Sequence, residues 1–344
     1  MEILIVGAGS IGRRHINNLN LLGYSNIDVI EPNEERLNFV KKNFKVSDTF
    51  NDFEEAYDRD YDIAFILTPP VYHIPTALEL AKRGLDLFIE KPLSHNLEHI
   101  DDLIKIKEEN SLVIMVGYNQ RFNPGLRKLK SYIEEGALGR IYYIRAEVGQ
   151  YLPDWRPWQD YHKSYTAIKE LGGGIILDGS HEIDYVMWLA ESKVKELKAT
   201  YDKVSNLEID VEDIAEAILR FENGIIASIH LNMIERGYNR YCKVVGEKGS
   251  IKWIFKDNVL EFYDGKSKEL IKKKYEIDSN YSYLEELKYF LKCVENRVET
   301  TTSDIYTAKE TLKVVMNIKE KGHEKYLGCT PSNHEYMEGR GDKK

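Results

Sequence analysis

The sequence predicts two domains of different class, a doubly wound α/β domain at residues 1–120 and an α+β domain at residues 121–325. In the first third, short apolar runs alternate with amphipathic segments, which is typical of strands buried on both faces of a parallel sheet. From residue 193 to residue 274, consecutive strand patterns are separated by turn signals, which favours an open, mostly antiparallel sheet. Amphipathic segments at residues 283–295 and 303–321 predict two final helices.

The strands of the first domain are predicted from short apolar runs, which read "EILIV", "NIDVI", "YDIAFIL", "LDLFI" and "LVIMVGY". Segments such as "IGRRHINNLNLLG" and "PTALELAKRG" predict the helices between them, and both stop at a glycine, as helices often do. The second domain is predicted to begin with the helix "GLRKLKSYIEEGAL" and the strand "RIYYIRAEV". An irregular aromatic stretch then leads to one helix in "GGGIILDGSHEIDY". The last helix could pack back on the first domain, and residues 326–344 are expected to be poorly ordered.

The composition is that of a globular protein with a core, since 42% of the 344 residues are hydrophobic and 31% are charged. A net charge of -9 argues against a nucleic-acid or anionic-membrane partner. Cys242, Cys293 and Cys329 are too widely spaced for a zinc site or a disulfide framework, so a cytoplasmic protein is expected. The N-terminal apolar run is too short for a secretory signal, and no later run could span a bilayer.

A glycine-rich loop follows the first predicted strand, where "ILIVGAGSIG" places Gly7, Gly9 and Gly12 in the pattern G-x-G-x-x-G. The first glycine permits a tight turn, the second lets the backbone approach a pyrophosphate, and the third lets helix and strand pack closely. The phosphates would lie at the helix N-terminus, beside Ser10 and Ile11. The strand and helix around the loop favour a dinucleotide-binding Rossmann domain over a glycine-rich turn that binds nothing.

An acidic residue ends the second strand, because Glu31 lies about 20 residues after the loop. A carboxylate there would accept hydrogen bonds from the adenosine ribose diol and repel a 2′-phosphate, so NAD is predicted as the cofactor. Arg13, Arg14 and Arg36 leave NADP possible, because a nearby guanidinium could hold that phosphate.

Two further motifs follow the fourth and fifth strands, "TPPVYH" at residues 68–73 and "EKP" at residues 90–92. Ligands in open α/β sheets bind beyond the carboxyl ends of the strands, so both motifs are predicted to lie on the cofactor rim. The alternative for "EKP" is a solvated turn. The cofactor-binding candidates on this rim are Thr68, Pro69, His73, Glu90 and Lys91.

With "VGYNQRF", "EEGALGRI" and "GGG…D…H…D", these motifs resemble the Gfo/Idh/MocA (glucose–fructose oxidoreductase / inositol dehydrogenase) family, over the chain to about Lys321. The resemblance implies a Rossmann domain, a second domain with an open antiparallel sheet, and a homodimer or homotetramer built through those sheets. It also implies an NAD(P)-dependent dehydrogenase that transfers hydride between the nicotinamide and a secondary hydroxyl of a sugar, sugar acid or nucleotide sugar.

The resemblance implies catalytic roles for Lys91, Asp178 and His181. The Lys91 charge would stabilise a developing alkoxide, and His181 would be the general base that takes the hydroxyl proton. Asp178 and His181 are three residues apart, where the commoner family form has four, and Asp184 could orient His181 instead or be an interdomain polar residue. A structural histidine is the alternative for His181. A metal site is not expected, because transition metals usually recruit further His or Cys ligands.

The stretch from residue 149 to residue 174 is aromatic and basic and has no periodicity, as in a functional loop. Aromatic faces pack on sugars, and Arg or Lys pairs with carboxylate or phosphate, so a polyhydroxylated substrate with an anionic group or nucleotide diphosphate is expected. An aromatic mini-core is the alternative, and an interdomain ion pair is the alternative for Arg121. The substrate-binding candidates are Tyr118, Asn119, Arg121, Trp155, Arg156, Trp158, Tyr165, Lys169 and Asp184.

Two other classes of function remain open at this point. A redox-neutral enzyme would oxidise a sugar transiently and reduce it again on held NAD, so no net NADH would be released. A sensor would bind NAD without turning over any sugar.

Overall fold

The computed structural model describes residues 1–56 and 58–322. The first sheet has six parallel strands in the order β3-β2-β1-β4-β5-β6. These strands are β1 (Ile3–Val6), β2 (Ile27–Ile30), β3 (Asp48–Phe50), β4 (Ile63–Ile66), β5 (Asp86–Glu90) and β6 (Ile114–Gly117). Four helices accompany them: α1 (Ser10–Leu21), α2 (Glu34–Asn43), α3 (His73–Lys82) and α4 (Ile100–Asn110).

All five strands predicted for this domain are present, and every residue of β1, β2, β4, β5 and β6 is buried. The missed strand, β3, lies at the sheet edge and has only three residues, of which Asp48 is exposed and Thr49 half-buried. Such a strand has no apolar run that a sequence pattern could reveal. The strand order reverses beside β1, so the loops after β1, β4 and β5 meet at one edge of the sheet.

The second domain contains an eight-stranded sheet. Its strands are β7 (Ile141–Gly149), β8 (Val194–Asp202), β9 (Ile214–Phe221), β10 (Ile226–Asn232), β11 (Asn239–Gly246), β12 (Gly249–Ile254), β13 (Val259–Asp264) and β14 (Leu270–Lys274). They lie in the order β14-β13-β12-β11-β7-β10-β9-β8. Every neighbouring pair is antiparallel except β7 and β10, which confirms the predicted mostly antiparallel sheet.

The helices of this part of the chain are α5 (Pro124–Glu134), α6 (Leu152–Trp155), α7 (Ile175–Asp178), α8 (Ser180–Ala190), α9 (Tyr281–Glu295) and α10 (Ile305–Lys321). The single helix predicted in "GGGIILDGSHEIDY" is wrong, because Gly179 separates α7 from α8. The N–H of Gly179 donates to the carbonyl of Ile175 at 2.7 Å. A Cβ at position 179 would lie 2.7 Å from that same oxygen, so the close approach requires glycine. Asp178 and His181 therefore lie on different helices.

The two C-terminal helices connect the domains. Phe290 of α9 is fully buried, and its ring lies edge-on to Phe65 at 5.6 Å and to Phe88 at 5.5 Å, inside the core of the first domain. The last helix, α10, contacts β6 and α4 of the first domain as well as α8 and β8 of the second. Just before α10, the Ser303 hydroxyl donates to the carbonyl of Val116 at 2.7 Å. Much of the first domain's core is thus completed by chain that follows the second sheet.

Within residues 1–56 and 58–322, no helix is long and apolar enough to cross a membrane. The same residues include no group of three or more His, Cys, Asp or Glu side chains that could hold a metal ion. Cys242 and Cys293 are buried free thiols. Cys329 and the segment 326–344, for which the sequence predicts poor order, lie outside the described residues.

Candidate active site

The glycine loop after β1 has the geometry that a dinucleotide requires. Gly7 has a φ of 100°, and a Cβ there would lie 2.8 Å from the carbonyl oxygen of Leu67. A Cβ on Gly12 would lie 2.1 Å from the carbonyl oxygen of Gly7, so α1 could not pack as it does with any larger residue. A Cβ on Gly9 would meet nothing within 4 Å, which leaves the N-terminus of α1 open to a phosphate.

Glu31 joins the end of β2 to this loop. Its Oε2 accepts a hydrogen bond from the N–H of Ala8 at 2.8 Å, and its Oε1 accepts one from the N–H of Asn33 at 3.1 Å. Arg36 places a guanidinium nitrogen 3.6 Å from Glu31 Oε2. Arg13 and Arg14 instead lie over the rings of Phe39 and Tyr283. Among the three arginines considered from the sequence, Arg36 is the one that accompanies the acid.

His73 ties two loops of the rim together. Its Nε2 lies 2.8 Å from the carbonyl oxygen of Thr68, and its Nδ1 lies 2.9 Å from that of Pro92. Burial lowers the pKa of this fully buried ring. His73 therefore joins the loops after β4 and β5 to each other. The sequence motif had predicted a direct contact with the cofactor instead. Pro70, and not Pro69, contributes to the cavity wall beside Thr68.

Lys91 is held by Asp178, the last residue of α7. Its ammonium donates to Asp178 Oδ1 at 2.9 Å and to the Asp178 carbonyl at 3.0 Å. Burial alone would lower the pKa of Lys91, but the Asp178 carboxylate outweighs it and the pKa lies above its ordinary value. Lys91 is therefore a cation at neutral pH.

Three donors occupy the Asp178 carboxylate. Besides Lys91, Tyr165 donates its hydroxyl to Oδ1 at 2.9 Å and Thr166 donates to Oδ2 at 2.6 Å. Burial would raise the pKa of Asp178, but the Lys91 charge and these hydrogen bonds hold it below its ordinary value. Asp178 is thus an ionised anchor and a poor proton acceptor.

His181 is buried at 7% exposure, with its ring edge-on to that of Tyr118 at 5.8 Å. Its Nδ1 has no hydrogen-bond partner in the described part of the chain, so neither Asp178 nor Asp184 reaches it there. Burial and the charges of Lys91 and Arg240 lower its pKa well below the ordinary value. His181 is therefore neutral at neutral pH and can accept a proton.

Arg121 and Asp184 pair with each other. Arg121 donates from Nε and Nη2 to the two Asp184 oxygens at 2.8 Å and 2.7 Å, and it also donates to the carbonyl of Thr302. The two residues are 5% and 1% exposed. The expectation that they bind substrate is corrected by this pairing, because their hydrogen-bonding groups are used inside the protein. The alternative for Arg121 was an interdomain ion pair; the structure has an ion pair, but both partners lie within the second domain as predicted, residues 121–325.

One cavity of about 270 Å³ brings the remaining candidates together. Its wall includes Lys91, Asp178, His181, Tyr165, Trp155 and Arg156. A second cavity of about 620 Å³ shares Trp155 and Arg156 with it and includes Asn119 and the 75% exposed Trp158. We call these the inner and outer cavities. Lys169 contributes to neither wall, and its backbone N–H donates to Asp210 at 2.8 Å. Tyr118 lies buried behind His181.

Comparison with known proteins identifies the two domains separately. Residues 1–118 match the family model described as "Oxidoreductase family, NAD-binding Rossmann fold". Residues 126–252 match the model described as "GFO/IDH/MocA C-terminal domain". The chain belongs to the Gfo/Idh/MocA family. It is therefore an NAD-binding oxidoreductase, as the sequence motifs predicted, and the glycine loop and Glu31 fit that cofactor.

Similar members of the Gfo/Idh/MocA family cover nearly the whole chain. The myo-inositol 2-dehydrogenase of Thermotoga maritima is 29% identical over 93% of this chain and 98% of its own. A levoglucosan dehydrogenase solved with NADH superposes with a TM-score of 0.84 at 20% identity, over 94% of this chain and 96% of that one. The WlbA dehydrogenase of Bordetella pertussis, solved with NADH and UDP-GlcNAcA, gives 0.78 at 21% identity over the same shares. The two superpositions confirm the fold.

Arg240, which no sequence motif predicts, contributes to both cavities of this family member. Arg240 of β11 donates to Glu182 from Nε at 2.7 Å and from Nη2 at 3.2 Å, and Glu182 is fully buried beside His181. Tyr238 and Tyr283 also contribute to both walls. A glutamate in an apolar helix signals that some cation must pair with it. The spacing of 58 positions to Arg240 is set by the sheet, so no local pattern reveals the partner.

Proposed function

We propose that this protein is an NAD-dependent dehydrogenase of a secondary hydroxyl in a sugar-type substrate. The observation that carries the proposal is that a protonated Lys91 and a neutral His181 both contribute to the wall of the inner cavity. Related proteins are named as myo-inositol 2-dehydrogenase and levoglucosan dehydrogenase, which supports a polyhydroxylated substrate.

Lys91 would stabilise charge on the reacting oxygen. Its ammonium is fixed by Asp178 at 2.9 Å, so it does not have to reorganise when an alkoxide develops beside it. Asp178 would position Lys91, because its carboxylate binds the ammonium and is itself held in place by hydrogen bonds from Tyr165 and Thr166.

His181 would take the hydroxyl proton. A general base must be unprotonated, and the low pKa of His181 ensures this at neutral pH. Lys91 cannot serve, because its raised pKa keeps it protonated, and Asp178 is a weaker base than usual, because Lys91 and its hydrogen bonds lower its pKa. NAD, when bound along the glycine loop, supplies the hydride acceptor.

We also propose NAD over NADP. Glu31 presents a carboxylate at the end of β2, and such a charge repels a 2′-phosphate. The neighbouring Arg36 supports the alternative, since its guanidinium at 3.6 Å could hold that phosphate if Glu31 were neutralised.

We further propose a cytoplasmic homodimer or homotetramer. The eight-stranded sheet supports assembly, because along β9 the residues that point away from the core alternate with buried ones and include Ile218, which is 54% exposed. The free, buried thiols of Cys242 and Cys293 support the cytoplasm as the compartment, because disulfides are rare there.

NADH formation on a panel of polyols, sugars, sugar acids and nucleotide sugars tests the proposed activity. We expect one group of related compounds to give net NADH with NAD. Conversion of a sugar without net NADH would identify the redox-neutral class. Binding of NAD with no conversion of any compound would identify the sensor class.

A further inference from the structure

Three cations contribute to the wall of the inner cavity, Lys91, Arg156 and Arg240. Lys91 is neutralised by Asp178, and Arg240 by Glu182. Arg156 forms no ion pair within residues 1–56 and 58–322, and its hydrogen bond to the Ser164 hydroxyl is long, at 3.4 Å. A partly buried guanidinium ordinarily pairs with an anion, so Arg156 could form an ion pair with an anionic group of a ligand.

Arg240 is a second donor, fixed in direction. Its side chain is 13% exposed and is held by the fully buried Glu182 through Nε and Nη2. Glu182 does not use the Nη1 group, and Tyr238 is a further hydrogen-bonding neighbour of the guanidinium, which has five N–H donors in all. Since Arg240 contributes to both cavity walls, a ligand can approach a guanidinium that needs no rearrangement.

Arg156 and Arg240 both lie where the two cavities meet, because each contributes to the inner and the outer wall. The inner cavity, at about 270 Å³, is near the lower end of small-molecule sites and suits one sugar ring beside the reacting groups. The outer cavity, at about 620 Å³, also has Ser10 and Ile11 of the cofactor loop in its wall, so a substituent that passes between the two arginines would share this cavity with NAD.

We propose that the substrate carries an anionic group, a carboxylate or a phosphate, which Arg156 and Arg240 bind at the junction of the two cavities. The proposal rests on the dehydrogenase function and specifies its substrate class. A planar guanidinium matches carboxylate and phosphate oxygens with two parallel hydrogen bonds, which a neutral hydroxyl cannot accept in the same way.

The outer cavity separates the two sources of such an anion. A sugar acid would place its carboxylate at the junction and would not extend into the outer cavity. A sugar phosphate or nucleotide sugar would extend further, toward Lys256 and the aromatic rings of Trp158 and Phe255. Aromatic faces of this kind suit a base.

Matched neutral and charged sugars test the anion site. The set is D-glucose with D-glucuronate, glucose 6-phosphate and UDP-glucose, and D-galactose with D-galacturonate, each with wild-type protein and NAD. We expect a charged member to raise the Tm more than its neutral partner, and to show a kcat/KM at least about tenfold higher. A preference for D-glucuronate or D-galacturonate assigns a carboxylate, and a preference for the phosphorylated sugars assigns a phosphate.

Arg156→Gln should remove this preference. We expect its kcat/KM for the charged member to fall about tenfold or more, mainly through KM, and its kcat/KM for the neutral member to fall by a clearly smaller factor. Arg156→Lys should retain part of the preference. Arg236→Gln is the matched control, because Arg236 is exposed, lies over the Tyr151 ring and contributes to neither cavity wall.

Equal turnover of neutral and charged members in every pair would overturn the anion site, as would an equal loss on both members in Arg156→Gln. A charged sugar that raises the Tm without any NADH formation would support the anion site while counting against the dehydrogenase function. The two proposals therefore fail separately.

Discussion

Lys91 and His181 lie in the wall of one cavity, the first protonated and the second neutral, although burial shifts the pKa of both in the same direction. Burial disfavours the charged form of both side chains. Asp178 reverses the effect for Lys91 with a carboxylate at 2.9 Å, while no carboxylate hydrogen-bonds to His181 among the described residues. The result is a cation and a neutral imidazole in the wall of one cavity, which is the arrangement that the proposed alcohol oxidation uses.

Replacing Lys91 with Met should reduce kcat by about a factor of 10³, because the charge that stabilises the developing alkoxide is lost. NAD affinity, measured by fluorescence titration with NADH, should change little. Lys195→Met is the control, since Lys195 is exposed on the edge strand β8. Turnover of the Lys91 variant close to that of the wild type would remove Lys91 from the mechanism.

The pH profile of kcat/KM should reveal the low pKa of His181. Because the neutral form is active and its pKa lies below the ordinary 6.5, activity should be constant from about pH 6.5 upward and fall only in more acidic solution. In His181→Asn the remaining activity should lose this acidic limb. A wild-type limb centred above pH 7 would show that His181 is not the base.

At the scale of elements, the site depends on two tight approaches of backbone, at the glycine loop and at Gly179. Gly12 lets α1 lie against the turn at Gly7, and Gly179 ends α7 so that α8 can begin in a new direction. The break at Gly179 places Asp178 against Lys91 and lets His181 reach the same cavity from α8.

Two alanine substitutions in the glycine loop should have different consequences. Gly12→Ala should lower the Tm of the NAD-free protein, because the new Cβ would lie 2.1 Å from the Gly7 oxygen. Gly9→Ala meets nothing within 4 Å and has an ordinary φ of -65°, so its NAD-free Tm should match the wild type. Its Kd for NAD should rise about tenfold or more, because the Cβ occupies the path of the pyrophosphate. An unchanged Kd in Gly9→Ala would place the phosphates elsewhere.

At the scale of the whole molecule, the inner cavity belongs to both domains. Lys91 comes from the end of β5, and His181 and Arg240 come from α8 and β11. The return of α9 into the first core and the contacts of α10 with both domains fix the two halves together. Loss of a buried apolar side chain from α9 should therefore lower the free energy of unfolding and loosen the fit between the two domains at the inner cavity.

Phe290→Ala should destabilise the protein by about 3–5 kcal/mol, the usual cost of removing a fully buried phenylalanine. Because α9 joins the core around Phe65 and Phe88, the Tm of this variant should be lower than that of the wild type both without NAD and with NAD. Thermal unfolding with and without NAD measures both effects, and Leu270→Ala, at a 53% exposed position of β14, is the control. A Tm equal to that of the wild type would show that α9 contributes little to this core.

Much of the architecture was predictable because its signals are local. Every buried strand of the first domain except the three-residue β3 is an apolar run, and the turns at Asn223–Gly224 and Asp264–Gly265 lie between strands as predicted. Lys91 and His181 were found from motifs, and both contribute to one cavity wall. The single helix through Gly179 was wrong because a glycine inside a helical pattern gives no sign of which backbone oxygen it will meet.

The sequence alone determined the two-domain order, the glycine loop and the family, since apolar period and glycine spacing are properties of neighbouring residues. Only the tertiary structure decided which charges pair. Asp178 belongs to Lys91, Asp184 to Arg121 and Glu182 to Arg240, across 87, 63 and 58 positions. Buried charges must find partners, but the sheet and helix packing bring those partners close. The same packing leaves Arg156 without an ion pair among the described residues, and so turns a basic loop residue into a candidate for binding the substrate's anion.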